Sequence, residues 1–146
     1  MGVSSDDDPE LDEGLRLEVL DRDACIELLA HHRFVGRLGF VVDGRPIILP
    51  VNYLFDNDSV VFCTASGTKL NAVGDGADVA FEVDDSVPLR HSGWSVLVRG
   101  HAEVITNPGE VARLRRGPLR PWAKGARTNW VRINVDEISG RRIPKI

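Results

Sequence analysis

The dipeptide Asp43-Gly44, set between two apolar runs, constrains the fold of this chain more than any other feature. The flanking runs, residues 34–42 and 46–55, are rich in β-branched and aromatic residues that favour strands. Asp-Gly favours the positive φ angles of a tight hairpin turn, so the sequence predicts two antiparallel strands joined there. Pro46 and Pro50 cannot donate ladder hydrogen bonds. They place the second strand at a sheet edge, at a bulge, or where something other than a strand pairs with the backbone.

Further apolar runs at short spacing predict the rest of the sheet. Strand-like runs occupy residues 59–64, 78–83, 94–105 and 128–135. The first would complete a three-stranded meander with the opening hairpin, and Gly100 would allow a bulge in the third. Segment 84–93 contains Pro88 and has no periodicity, which predicts a loop. Residues 139–146 are predicted to be a tail beyond the last strand.

Three short helices are predicted between these strands. Asp21 or Asp23 is placed to cap a helix that ends near His31-His32, residues 68–73 predict a second helix, and Pro108 begins a third. Strands at short regular spacing, joined by hairpins and short helices, are typical of an antiparallel barrel and not of a doubly wound parallel sheet. We therefore expect a mainly β fold with short helices.

Composition limits the chain to one domain and disfavours several partners. The 146 residues, 42% of them hydrophobic, suffice for one core. Residues 1–19 predict an acidic, disordered tail, and residues 20–146 the single folded domain. A net charge of −4 disfavours a nucleic-acid or anionic-membrane partner. No apolar run approaches the roughly 20 residues that span a bilayer. Because Cys25 and Cys63 are isolated and predicted to be buried thiols, we expect a soluble, cytoplasmic protein.

The segment that follows the strand-like run at residues 59–64 suggests a phosphate pocket. Residues 60–63 form a buried apolar run, and Ser66 and Thr68 then favour a tight turn or a helix N-cap. A helix N-terminus with hydroxyl groups and the ammonium group of Lys69 suits an anionic phosphate. The alternative is that one hydroxyl caps the helix while Lys69 is a solvated surface charge.

Other residues form no catalytic or metal-binding pattern. The chain has no Ser-His-Asp order, no paired carboxylates and no activated cysteine, and its cysteines and His31-His32 lack metal-ligand spacing. We therefore predict no catalytic side chain and no metal site. A basic segment around Trp122 could bind nucleic acid; it contains Arg113, Arg115, Arg116, Arg120, Lys124 and Arg127. Gly117-Pro118 and Pro121 indicate a flexible loop there, so a lid over an anionic ligand or a solvated loop is the favoured interpretation.

Several pieces of the chain occur in an order that resembles a known family. These pieces are residues 36–40, 44–46, 50–53, 64–70, 77–83 and 93–100. Together they resemble the pyridoxamine 5′-phosphate oxidase-like FMN-binding split-barrel proteins, from about residue 20 to about residue 143. The chain is most similar to the flavin-reductase and nitroimidazole-resistance-like branch and to related deazaflavin-dependent members. It departs from the pyridoxamine oxidases proper at residues 45–50, so vitamin B6 oxidase activity is not predicted.

The resemblance implies an antiparallel split β-barrel that forms a homodimer, with FMN at the subunit interface. The residues implied to hold the phosphate are Thr64, Ser66, Thr68 and Lys69. Those implied to line the isoalloxazine ring are Pro50, Val51 and Asn52, with Trp94 and Ser95 from the partner chain and Trp130 closing the pocket. Arg37 is a second candidate for the phosphate, or else pairs with an acidic neighbour. The 8-hydroxy-5-deazaflavin coenzyme is the alternative cofactor, because it also carries a phosphate and a flat tricycle.

Three functions follow as hypotheses. The first is an oxidoreductase in which FMN or a deazaflavin transfers hydride or electrons to a small-molecule acceptor. The second is a non-catalytic flavin- or haem-binding carrier or sensor, with His91 or His101 as a haem ligand. The third is a nucleic-acid-binding barrel. A yellow preparation would separate the first two from the third, and turnover of the chromophore would separate enzyme from carrier.

Overall fold

The computed structural model describes residues 17–32, 35–65, 68–120 and 128–143, except for the side chains of residues 68–70 and 75. These residues form eight strands and three α-helices. In chain order the elements are β1 (Glu18–Leu20), α1 (Arg22–His31), β2 (Val35–Val42), β3 (Arg45–Asn52), β4 (Leu54–Asp56), β5 (Ser59–Ala65), α2 (Thr68–Val73), β6 (Asp75–Val87), β7 (Ser92–Ile105), α3 (Pro108–Arg116) and β8 (Thr128–Ile143). The predicted helices and the mainly β, antiparallel fold are confirmed.

One curved sheet contains the strands of the described residues. Its order is β3-β2-β6-β7-β8-β5-β4, and β1 pairs with β8. β3 and β4 stand at opposite ends of this order, although only Tyr53 separates them in sequence. The sheet therefore curls round until its two ends meet at Tyr53, which closes it into a barrel.

The predicted hairpin joins β2 and β3. Asp43 and Gly44 have φ angles of 51° and 76°, the two positive values of a type I′ turn. β3 is an edge strand that pairs with β2, as Pro46 and Pro50 indicated. The prediction of a single strand over 46–55 is wrong, because the chain breaks at Tyr53. The predicted meander is confirmed in part: β5 forms a hairpin with β4, whose residues 54 and 55 lie in that predicted strand, but its other neighbour is β8 and it does not pair with β3.

The hairpin of β6 and β7 is longer than predicted. The pairing continues from Asp84 opposite Ser95 as far as Val87 opposite Ser92, so most of the predicted loop at 84–93 is strand. A short 3₁₀ turn at Pro88–Arg90 reverses the chain. Residues 84–91 are exposed on both faces, and a strand that is solvated on both faces shows no alternation of apolar and polar residues.

β8 also extends beyond its predicted end. It runs to Ile143, so the predicted tail is strand over residues 139–143. The end of β8 pairs with β1, which overlaps the predicted acidic tail at Glu18 and Val19; residues 1–16 lie outside the described residues. The predicted bulge is present as a register shift between Arg99 and Gly100. A Cβ atom at Gly100 would overlap the carbonyl oxygen of Asn134, so the close approach of the two strands requires glycine.

Two apolar clusters hold the fold together. The larger one fills the barrel with side chains from β2, β5, β6, β7 and β8, and α1 covers it with fully buried Cys25 and Leu29. The smaller one lies between α3 and the outer side of the sheet and contains Val61, Ile105, Leu114, Leu119 and Trp130. Asp21 caps α1, accepting the backbone N–H of Ala24 at 2.8 Å. Cys63 is only half-buried, which corrects the expectation for that thiol. Among the described helices, none has the length and apolar character to cross a membrane.

Candidate functional site

The end of β3 carries three of the residues implied to line a ring. Pro50 is exposed, Val51 is 4% exposed and belongs to the barrel core, and Asn52 is half-buried. Within the described part of the chain β3 pairs only with β2, so its other edge offers unpaired backbone groups. The side chain of Asn52 makes no hydrogen bond to a described residue. This edge can therefore bind a flat polar partner.

The residues implied to hold a phosphate follow β5. Thr64 is half-buried, and its hydroxyl donates to the carbonyl of Ala65 at 3.2 Å. Ser66 lies outside the described residues; Thr68 and Lys69 begin α2, and their side chains are not described. α2 approaches β2 and β6 within 8 Å between Cα atoms, and β5 approaches β3 in the same way. The fold thus brings the β5–α2 segment to the same region as β3.

Trp94 and Ser95 lie on a more distant strand. Both are half-buried on β7, and β2 and β6 separate them from β3 in the sheet. The indole of Trp94 meets the ring of His32 edge-on, with ring centroids 5.5 Å apart. A cavity of about 210 Å³ beside it is lined by Asp85, Ser92 and Arg142, among others. One protomer therefore does not place Trp94 against β3, and its contribution from a second subunit stays a prediction.

Trp130 lies on the other side of the sheet. It is 2% exposed and packs beneath α3 in the smaller apolar cluster. Its indole N–H has no hydrogen-bond partner among the described residues. This placement makes Trp130 a core residue and gives no support to its expected role at the cofactor pocket, which stays a prediction.

Arg37 forms an ion-pair cluster on the outer face of the sheet, which confirms the predicted alternative that it pairs with an acidic neighbour. Its guanidinium nitrogen Nη1 lies 3.1 Å from Glu82 Oε1 and 3.2 Å from Asp84 Oδ2. Burial, and then the hydrogen bond and negative charge of Asp84, raise the pKa of Glu82 to about 7 although Arg37 opposes the shift. Neither carboxylate was predicted as a partner of Arg37, because Asp84 falls at the start of the predicted loop. The alternation of residues 78–83, which puts Glu82 on the polar face, was the available signal.

A groove of about 540 Å³ crosses this outer face beside β3. Gly39, which has no side chain, and Ala80, which has only a methyl group, are among its lining residues. Pro46 and Ile48 of β3 line it, and so do Arg99 and other residues of β7 and β8. Open space of this size therefore adjoins the strand whose edge is unpaired.

The basic segment is partly engaged within the chain. Both guanidinium NH2 groups of Arg113 donate to the carboxylate of Asp56, at 3.0 and 2.9 Å, and this hydrogen bonding lowers the pKa of Asp56. Arg120 donates to the carbonyls of Arg115 and Gly117, which closes the end of α3. The segment begins on α3 and not in a loop; residues 121–127 lie outside the described residues. These bonds leave fewer charges for the nucleic-acid hypothesis.

A second network fixes α3 to the sheet. The guanidinium group of Arg132, only 10% exposed, donates to Ser59, Asp56 and Glu110. This network was not predicted from the sequence, because its members come from three distant segments. No group of three or more His, Cys, Asp or Glu side chains in the described ranges could hold a metal ion. His101 pairs with Asp136 at 3.3 Å.

Comparisons with known proteins agree with this fold. The model of the pyridoxamine 5′-phosphate oxidase family matches residues 21–142. The uncharacterized protein Rv0080 of Mycobacterium tuberculosis (strain ATCC 25618 / H37Rv) is 40% identical over 129 residues, which are 85% of this chain and 84% of the relative.

Two solved structures are similar. The FAD binding protein from Mycobacterium smegmatis is 36% identical with a TM-score of 0.73, over 87% of this chain and all of that one. The protein of unknown function DIP1874 from Corynebacterium diphtheriae is 35% identical with a TM-score of 0.73, over 88% of this chain and 98% of that one. The chain belongs to the pyridoxamine 5′-phosphate oxidase-like family of split-barrel proteins.

Proposed function

We propose that this chain binds a flavin nucleotide and is an oxidoreductase that transfers hydride or electrons to a small acceptor. The observation that carries the proposal is the open edge of β3 at residues 50–52, in a family member that is 36% identical to an FAD binding protein. A flavin supplies the redox chemistry when bound, and the protein supplies binding, orientation and electrostatic surroundings.

The residues at this edge fit such a group. The backbone of β3 and the amide of Asn52 offer both donors and acceptors to the polar rim of a flat heterocycle. A groove of about 540 Å³ lies at the turn end of β3, against Pro46, Ile47 and Ile48, and adjoins this edge. Thr64, with Ser66, Thr68 and Lys69, would hold the phosphate. α2 has only six residues, so hydroxyl groups and the ammonium group would contribute more than a helix dipole.

The cofactor is proposed as FMN or a nucleotide that contains it. FAD shares the ring and the first phosphate with FMN, so the same residues would hold either, and the 8-hydroxy-5-deazaflavin coenzyme remains the alternative. Mass spectrometry of the small molecule that co-purifies, followed by titration of the stripped protein with each coenzyme, identifies the ligand. If none of the three binds, the proposed function is wrong.

Lys69→Ala tests the phosphate assignment. Removing one charge-assisted contact should weaken flavin binding by about 1.5 to 3 kcal/mol. Arg45→Ala is the matched control, because Arg45 is an exposed cation at the turn end of β3. Equal affinity of Lys69→Ala and the parent chain would refute the assignment, whereas a loss in both variants would indicate a general charge effect.

A homodimer is part of the proposal, because apolar side chains stand exposed on the outer face of the sheet. Val35, Val41, Ile48 and Leu97 are 40%, 56%, 71% and 39% exposed, and their registers place them on one face. A second copy covering this face would bury them, and the contribution of the partner's Trp94 and Ser95 to the site is part of the same proposal. Ile48→Glu should give a monomer in sedimentation experiments. Leu89→Glu, at a residue 96% exposed on the 3₁₀ turn, should not.

Turnover separates an enzyme from a carrier. A nicotinamide or reduced deazaflavin donor should bleach the bound chromophore, and a small oxidised acceptor should restore its absorbance. A chromophore that binds tightly but exchanges no electrons with either donor would favour the carrier or sensor hypothesis.

A further inference from the structure

Three charged side chains on the outer face lie next to the proposed ring site without belonging to it. Arg37 contacts Glu82 at 3.1 Å and Asp84 at 3.2 Å. Its backbone faces Pro50 on one side and Glu82 on the other. Facing residues of antiparallel strands point to the same side of the sheet, about 5 Å apart. Arg37 is therefore one strand away from Pro50, on the same face.

The net charge of this cluster depends on Glu82. Arg37 contributes one positive charge and the two carboxylates contribute two negative charges, so the cluster carries −1 when Glu82 is ionised and is neutral when Glu82 is protonated. Burial and Asp84 raise the pKa of Glu82 to about 7. The cluster thus changes its charge in the physiological range.

Few other charges face Glu82. Its partner on β7 is the uncharged Leu97, and the next charged residue there, Arg99, pairs with Glu137 at 3.5 Å. α2 also contacts β6, and its one charged residue is Lys69. Within one protomer, the charged side chains nearest Pro50 on this face are therefore Arg37, Glu82 and Asp84. The charged residues Asp78, Arg99, Asp136 and Glu137 line the groove at the other end of β3.

We propose that Arg37 and Glu82 set the reduction potential of a flavin bound at β3, with Glu82 as a positioning residue that orients Arg37 and offsets its charge. The inference rests on the proposed function. Uptake of electrons adds negative charge to the ring, so a neighbouring guanidinium favours reduction and a neighbouring carboxylate opposes it. Ionisation of Glu82 should therefore lower the potential, and its removal should raise it.

The test is the midpoint potential of the bound flavin, measured against dye standards from about pH 5.5 to about pH 8.5. The parent chain should show an extra inflection near the pKa of Glu82, about 7. At high pH, Glu82→Gln should change the equilibrium constant for reduction about tenfold in favour of the reduced flavin, or about 30 mV for a two-electron couple. Arg37→Met should shift it by a similar factor in the opposite direction.

Two controls make the result specific. Glu103→Gln removes an exposed carboxylate of β7 that has no ion pair among the described residues, and it should leave the potential unchanged. Arg37→Lys keeps the charge and should stay near the parent value. If flavin binds but Glu82→Gln and Arg37→Met keep the parent potential, this inference is wrong and the proposed function stands. If the parent chain binds no flavin, both are wrong.

Discussion

The hydroxyl group of Tyr53 makes a sharp test of how the barrel closes. Tyr53 is 4% exposed and joins β3 to β4. Its hydroxyl lies 2.8 Å from the carbonyl oxygen of Leu29 and 2.7 Å from that of His32. These carbonyls belong to the end of α1, where helix geometry leaves acceptors without intrahelical partners. Tyr53→Phe removes the donor and keeps the ring, which meets Phe81 with centroids 4.9 Å apart.

The expected loss of stability is about 1.5 to 2.5 kcal/mol. A net hydrogen bond contributes about 1 kcal/mol, and leaving a buried acceptor unsatisfied adds a desolvation penalty of similar size. The ring is retained, so no cavity contribution is added. For a chain of this length, each kcal/mol corresponds to a decrease in Tm of roughly 2 to 4 °C.

Urea unfolding measures this loss, and it is followed by both far-UV circular dichroism and tryptophan fluorescence. Coincident transitions in the two signals show that unfolding is two-state. A loss below about 0.5 kcal/mol at unchanged m-value would refute the reasoning. A second readout uses the fact that the chain has one tyrosine. Burial raises the pKa of Tyr53, so the folded state keeps its proton above about pH 10 while the unfolded state releases it. Stability of the parent should therefore fall there, and Tyr53→Phe should lose that dependence.

Three further substitutions have expected outcomes in the same unfolding assay. Arg132→Met should destabilise by about 2 to 4 kcal/mol, because it leaves the carboxylate of Asp56, 15% exposed, without one of its partners. Gly100→Ala should destabilise by about 2 to 3 kcal/mol, because its Cβ would overlap a β8 carbonyl, whereas Gly39→Ala has space and should change little. The parent chain should lose stability as pH rises from 4.5 to about 7, because its folded state holds the Glu82 proton more tightly than its unfolded state. Glu82→Gln has no such proton, so its free energy of unfolding relative to the parent should increase by about 1 to 2 kcal/mol over this range.

Local signals predicted the elements near turns and caps. Asp43-Gly44 determined the first hairpin, and Pro46 and Pro50 located the edge strand, because each acts through the backbone of its own residue. Asp21 and Pro108 marked helix starts for the same reason. The assignment of the ring to residues 50–52 came from the family resemblance and stays a proposal, although the unpaired edge of β3 is compatible with it.

Features that depend on distant segments escaped prediction. The strand at 84–87 has no alternation, because neither face is buried, and only its partner on β7 reveals it. The partner of β5 is β8, more than sixty residues further along the chain. Glu82 gains its raised pKa and its contact with Arg37 only after β2 and β6 pair. Hydrophobic pattern identifies which face a residue occupies, but not which strand lies beside it.

Two of these substitutions together locate the cofactor site, because stability and binding should rank them in opposite order. Asn52 precedes Tyr53, so loosening the Tyr53 hydroxyl from α1 loosens the strand end that would hold the ring. Arg132 of β8 contacts Glu110 of α3, Asp56 and Ser59, and none of these residues belongs to β3. Arg132→Met should therefore cause the larger loss of stability, and Tyr53→Phe the larger loss of flavin affinity. If Arg132→Met caused the larger loss in both stability and flavin affinity, binding would depend on global stability alone. The site could not then be assigned to the β3 edge.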